Sequence, residues 1–364
     1  MVLGGCRRVV VADNINHRCW NYEAKIFEAY NSTSGCYQGY QLSLQLHLPQ
    51  DDDTSCTSRT QPPTFLFAYS NDLDSQTVLD TWAGFLSVEA EVSVQFSWFA
   101  NVRFDTQQLD EIEFHKNYND VQQSIHQHLP DPSQGFGNSS IGSNVFQVIE
   151  KFFSNTQAPV CGSIVFILVK RYPNEADVSG MIAKIRSHHT IVHVMTSSTP
   201  SGGTQAQAVY NVASKTNGLG AFESDNEFSD MIGRFPMFAT PYPVYAAIVK
   251  ASGSNSVNLP QFSPPQSDDY WVALTYQDHL PIDAFKSVSL NWISVDSSDS
   301  SSFSVSTENI PGDDGGTYAA EWFPFQLKTY NMTFSYEFSD SNVESLQVRI
   351  YSGKPLDHWL PYSD

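Results

Sequence analysis

Positive charge is scarce in this chain. Only 19 Lys and Arg stand against 39 Asp and Glu in 364 residues, a net charge of −20. Phosphate backbones are held by clustered Lys and Arg, so nucleic acid is excluded as a partner. No apolar run approaches the roughly 18–20 residues of a membrane span, and none is expected. The first residues, Met1-Val2-Leu3-Gly4-Gly5-Cys6-Arg7-Arg8, lack a basic start followed by an apolar core, so no signal peptide is visible. Also missing are a Gly-x-Ser-x-Gly elbow, a phosphate loop ending in Lys-Ser/Thr, and a His-Glu-x-x-His pair. The histidines offer no ligand set. His126 and His128 are two apart on an expected helix, and His188, His189 and His193 straddle a helix–strand junction with no Cys or carboxylate at ligand spacing. No enzyme class is signalled and no cofactor is expected.

What is present points outside the cell. Cys6, Cys19, Cys36 and Cys56 fall in the first sixty residues, Cys161 stands apart, and no pair has CxxC spacing. That pattern suggests an arm stapled by at least one disulfide in an oxidising compartment, with Cys161 either reaching across to the arm or free. Connectivity is not readable from the sequence. Sequons at Asn31, Asn138 and Asn331 agree with secretion.

The length exceeds one ordinary core, and the texture divides it in three. Residues 1–62 read as a Cys-bearing arm closed by an acidic, Pro-ended linker. Residues 63–235 carry continuous apolar runs at Thr64–Tyr69, Ser163–Val169 and Thr190–Met195, the mark of parallel strands buried on both faces. Helix-period segments separate them, with Val145, Val148, Ile149 and Phe152 on one face and Val178, Met181, Ile182 and Ile185 on another. The expectation is a doubly wound α/β sheet with helices on both faces, the three runs parallel neighbours in it, and ligands at the carboxyl ends of its strands. Strands over Val92–Phe104 and a helical region with polar interruptions over Gln108–His128 add to that reading. Residues 236–364 alternate in short strands, expected at Val244–Lys250, Tyr270–Gln277, Ser287–Val295, Ser302–Thr307, Phe325–Phe338 and Glu344–Ser352. Turn-formers such as Ser252–Ser256 separate them. This reads as a β-sandwich with a core of Trp271 or Tyr270, Leu290, Trp292, Phe334, Val348 and Ile350.

With its buried first strand, Gly/Ser loop before a helix, Ile164–Leu168 strand, and Ala208 helix running into Leu219-Gly220, residues 63–235 resemble a von Willebrand factor A (VWA) domain. The pairing with a β-domain resembles a group of secreted VWA-like proteins numerous in nematodes. The resemblance implies a metal-ion-dependent adhesion site, in which an Asp-x-Ser-x-Ser loop, a Thr and an Asp hold Mg²⁺ or Mn²⁺ for a partner's carboxylate. Here Ala68 stands for the first Asp, Ser70 keeps the first Ser, Asp72 replaces the second, Ser139 stands for the Thr, and Lys170 takes the third-loop position. An ammonium there competes with a cation. Lys170 is therefore expected either to pair with Asp72 as an internal cation or to point into solvent beside Arg171, and no tight metal is expected.

Asp72-Leu73-Asp74 and Asp313-Asp314 read as solvated turns, with loose Ca²⁺ as the alternative. Tyr270-Trp271 and Trp322–Phe325 read as core more than as a binding platform. The functional expectation is an extracellular, non-enzymatic binding or adhesion-type protein recognising a protein or glycan. A hydrolase acting between the domains and a structural matrix component are the alternatives, and the oligomeric state is left open.

Overall fold

The computed structural model describes residues 56, 63–86, 96–236, 238–310 and 316–363, all within one compact unit. Cys6, Cys19, Cys36, Asn31, Asp313 and Asp314 lie outside these residues.

A six-stranded sheet forms the first layer. Its strands are β1 (Thr64–Ser70), β2 (Trp98–Phe104), β3 (Glu113–His115), β4 (Ile164–Val169), β5 (Ile191–Ser197) and β6 (Gly220–Glu223), in the order β3-β2-β1-β4-β5-β6. The three apolar runs are parallel neighbours: β1 pairs β4 with Ala68 opposite Ile167, and β4 pairs β5 with Val165 opposite Val192. Only β3 runs antiparallel. Every residue of β1 and β4 is buried, because helices cover both faces. Phe65, Phe67 and Tyr69 pack on one side against α1 (Ser75–Leu86), α2 (Tyr118–Gln127) and α6 (Phe228–Ile232). Leu66 and Ala68 pack on the other against α3 (Val145–Phe153), α4 (Ser179–Ser187) and α5 (Ala206–Lys215). In α3, Val145, Val148, Ile149 and Phe152 are the buried stripe. The interrupted helical region expected from Gln108 begins with β3, and its helix is capped by Asn117, whose side chain accepts from the Asp120 N–H at 2.9 Å.

Two antiparallel sheets follow. One is ordered β11-β10-β13-β8 and the other β12-β9-β14-β7. Their strands are β7 (Tyr242–Ala251), β8 (Ser254–Phe262), β9 (Asp268–Thr275), β10 (Phe285–Ser294), β11 (Ser300–Ser306), β12 (Tyr318–Phe325), β13 (Tyr330–Phe338) and β14 (Glu344–Ser352). Tyr270, Leu290, Trp292, Phe334, Val348 and Ile350 share one core. Two expectations are corrected. The Ser/Asn-rich segment after Gly253 is an edge strand, and Phe325–Phe338 is the end of β12, a turn, and β13.

The second of these sheets is buried on its outer face as well. Ala273, Tyr318 and Tyr351 join the core beneath β1 and β4. Tyr210 of α5 reaches Thr275 Oγ1 at 2.8 Å and the Ser345 carbonyl at 2.7 Å, and the buried Arg349 donates to the Ser214 carbonyl at 2.7 Å. The α/β layer and the sandwich are thus packed as one body. At the amino ends of the strands Cys161 bonds to Cys56. The Trp359 indole donates to the Cys56 carbonyl at 3.1 Å and its ring stacks on His189.

Candidate functional site

The strand order reverses between β1 and β4. In open α/β sheets the crevice beyond the carboxyl ends at such a point is where ligands sit. Ser70 ends β1, Asp105 follows β2, Lys170 and Arg171 follow β4, and Ser197 ends β5, so the topology gathers polar groups at that end.

Two networks form there. The first centres on Asp105, fully buried and in the left-handed region at φ 64°, a conformation that Asp tolerates through local hydrogen bonds. Asn144 holds it: its side-chain oxygen accepts the Asp105 N–H at 2.8 Å, and its own N–H donates back to Oδ1 at 3.2 Å. Ser70 Oγ donates to Asp105 Oδ2 at 2.5 Å and Ser143 Oγ to Oδ1 at 2.6 Å. Burial pushes this carboxyl up to about 7, against the two hydroxyls, which favour the charged form.

Asp72 anchors the second network. Arg171 donates to Asp72 Oδ2 from Nε and from Nη2, each at 2.7 Å, and Ser201 Oγ donates to the same oxygen at 2.5 Å. Arg171 Nη1 reaches the carbonyls of Asn138 at 2.9 Å and Ile141 at 2.8 Å, pinning the Gly/Ser loop to the strand end. Gly203 closes the arrangement at φ +75°. A Cβ there would stand 1.7 Å from the Tyr172 carbonyl oxygen, so no larger residue fits.

Both expectations for Lys170 are therefore corrected, since it neither pairs with Asp72 nor points into solvent. Lys170 donates to Asp225 Oδ2 at 2.5 Å, Thr199 Oγ1 at 2.8 Å and Ser197 Oγ at 3.1 Å, and its neighbour Arg171 makes the Asp72 contact. Adjacent residues leaving a strand point to opposite sides, so a shift of one exchanges their partners. Ala68 lies inside β1 in the core, not at its end. Ser139 is exposed and contributes its carbonyl, which accepts the Gly203 N–H at 3.0 Å; the converging hydroxyls are those of Ser70, Ser143 and Ser201. Asp105 and Ser143 were not foreseen, and the available signal was an acid directly after the strand β2. A divalent cation needs free oxygen lone pairs and no competing charge. Here Asp72 Oδ2 already accepts from two guanidinium N–H groups and a hydroxyl, so the donor set does not suit one.

A second grouping, Asp278, His279 and Glu344, places possible ligand atoms within 4.8 Å of one another. His279 Nδ1 lies 2.6 Å from the Leu280 carbonyl and Nε2 lies 2.7 Å from Glu344 Oε1. Both neighbours accept, so both ring nitrogens donate, and the Glu344 hydrogen bond pushes His279 up to about 9. An imidazolium has no lone pair for a metal. The group is an ion pair at the junction of the two layers, where Gln207 of α5 donates to Asp278 at 3.0 Å.

Asp74 is a helix cap, accepting from the Gln76 N–H at 2.8 Å. Asn138 and Asn331 are exposed. Tyr270 and Phe325 are buried, whereas Trp322 is 47% exposed and meets Trp271 edge to face. Among the described residues no helix is long and apolar enough to cross a membrane.

Residues 247–353 match a family described only as a domain of unknown function (DUF7154). No curated protein matches the chain. Two crystal structures of proximal thread matrix protein 1 from the mussel byssus are similar to it. One, at 17% identity and TM-score 0.32, covers 47% of this chain and 46% of that one. The other, at 16% and 0.34, covers 53% and 49%. The chain spans about half the length of these matched structures. A carbohydrate-binding module from Cellvibrio mixtus lichenase 5A, in complex with cellotriose, matches at 8% identity and TM-score 0.19 over 31% of this chain and 92% of its own.

Proposed function

We propose that the chain is a non-enzymatic extracellular binding protein of VWA-like build that recognises a protein or glycan partner without a divalent cation. The observation that carries this is Arg171, a fixed internal cation bonded to Asp72 at the strand-end crevice where an adhesion site would hold its ion. The Cys56–Cys161 bridge supports an oxidising compartment. A glycan on the exposed Asn138 would stand over the strand ends, which assigns recognition to another surface. The exposed Trp322 on β12 offers rigid aromatic area for it.

The hydrolase reading has one observation in its favour. A carboxyl titrating near 7 at a strand end suits general acid–base work. Against it, Asp105 is fully enclosed, and such a group must reach its substrate. The test uses bead-bound protein on native extract and on a glycan array, beside a panel of ester, peptide and glycoside substrates. Retention equal in EDTA and in Mg²⁺, weakened by Trp322→Ala, with no turnover, is the expected result. Turnover abolished by Asp105→Asn would replace the binding reading with the hydrolase one.

A further inference from the structure

The sequon Asn331-Met332-Thr333 lies within β13, a central strand of the sheet ordered β11-β10-β13-β8, whereas Asn138 lies in a loop. Side chains alternate along a strand. Met332 packs in the sandwich core, so Asn331 and Thr333 turn to the opposite face, and Asn331 is exposed. Its amide is held. Asn331 Oδ1 accepts from Gln261 Nε2 at 2.8 Å, and its Nδ2 makes no hydrogen bond among the described residues. Nδ2 is the nitrogen that a sugar joins, and Oδ1 keeps its donor once that bond is made.

The surroundings suit a sugar. Ile293 is the cross-strand partner of Asn331, so the two side chains rise side by side. Val295 continues the same ladder, its N–H donating to the Thr329 carbonyl at 2.9 Å. Both are large apolar residues left in water, 43% and 59% exposed. Farther along this face come neutral hydroxyls and amides, Asn291 and Asn258 beside Thr333, then Ser289 and Ser256 beside Ser335. A pyranose ring has an apolar C–H face and a rim of hydroxyls. It can cover the aliphatic pair and hydrogen-bond to the neutral groups beyond.

We propose that Asn331 carries an N-linked oligosaccharide whose first residues lie over Ile293 and Val295. The proposal rests on the extracellular placement argued above, and it is separate from recognition at Trp322, which belongs to the other sheet. The donor is a lipid diphosphate-linked oligosaccharide. Nδ2 bonds to its anomeric carbon, the anomeric C–O bond breaks, and the diphosphate leaves with the electron pair. The displaced proton passes from Nδ2 to a base of the transferase.

The experiment produces the full chain through the secretory route of a eukaryotic host restricted to high-mannose sugars. An endoglycosidase trims each sugar to one N-acetylglucosamine, and trypsin follows. Cleavage after Lys328 and Arg349 releases Thr329–Arg349, in which Asn331 heads the one sequon. That peptide is expected to be heavier by one N-acetylhexosamine. Cover is read on untrimmed protein with a dye that brightens on apolar surface. Asn331→Gln and Thr333→Val remove the sugar through different residues, and both are expected to brighten the dye with native circular dichroism retained. Adding Ile293→Thr and Val295→Thr to Asn331→Gln should return the signal to the glycosylated level. An unmodified Thr329–Arg349 beside a glycosylated Asn138 overturns the proposal and leaves the extracellular placement standing. Both asparagines unmodified in a chain that is not exported removes the two together. A sugar on Asn331 with the dye indifferent to both sequon variants overturns the cover.

Discussion

Arg171→Met is expected to lower the unfolding free energy by about 3–5 kcal/mol, the cost of stranding one member of a buried ion pair. Asp72 would keep only Ser201 as a side-chain donor, and the Asn138 and Ile141 carbonyls would lose theirs. Arg171 is 5% and Asp72 13% exposed, so water cannot replace the guanidinium without opening the loop. Arg171→Lys should recover little. A single ammonium cannot supply two bonds to one carboxylate oxygen and two to separate carbonyls. Arg171→Met with Asp72→Leu should recover much of the loss, because the charge and its partner leave together. Urea unfolding checks the series, with the midpoint falling and the slope unchanged. A loss below about 1 kcal/mol for Arg171→Met would place this pair among ordinary surface ion pairs and remove the internal-cation account.

Removing the Cys56–Cys161 bridge by double Ser substitution is expected to cost about 4 kcal/mol. The residues are 105 apart in sequence, and closing so long a loop restricts the unfolded chain strongly. The signature differs from that of Arg171. The slope against urea should rise along with the fall in midpoint, because the unlinked denatured chain exposes more surface. Trp359 and the segment after it should also loosen, since its indole is anchored on the Cys56 carbonyl. Near-UV circular dichroism should show this before global unfolding. An unchanged midpoint in the double variant would mean that the bridge restrains nothing.

Legibility followed burial. The strands β1, β4 and β5 are enclosed on both faces, so composition alone carries them, and α3 shows its stripe because one face meets the sheet. By contrast β8 lies at a sheet edge with most of Ser254–Gln261 exposed, so its Ser and Asn residues look like a turn. Pro324 in β12 is tolerated because that strand is also an edge. Within the site, the sequence located the loops but not which side chain each loop turns inward. Lys170 and Arg171 are both cations, and alternation alone cannot choose between them once the strand has ended. Asp105 gave little sign of itself, since nothing in its neighbours announces the Ser70 and Ser143 hydroxyls that enclose it.

The most direct test of a cation-independent strand-end site is the melting temperature of the unmodified protein in EDTA and in millimolar Mg²⁺ or Mn²⁺. An ion held at a hundred times its Kd would add about 2.7 kcal/mol and raise the midpoint visibly. With Arg171 bonded to Asp72, no shift is expected in either metal. A Mg²⁺-dependent rise that Asp72→Ala abolishes and His279→Ala leaves intact would contradict the account, because it would place a working ion where the guanidinium stands.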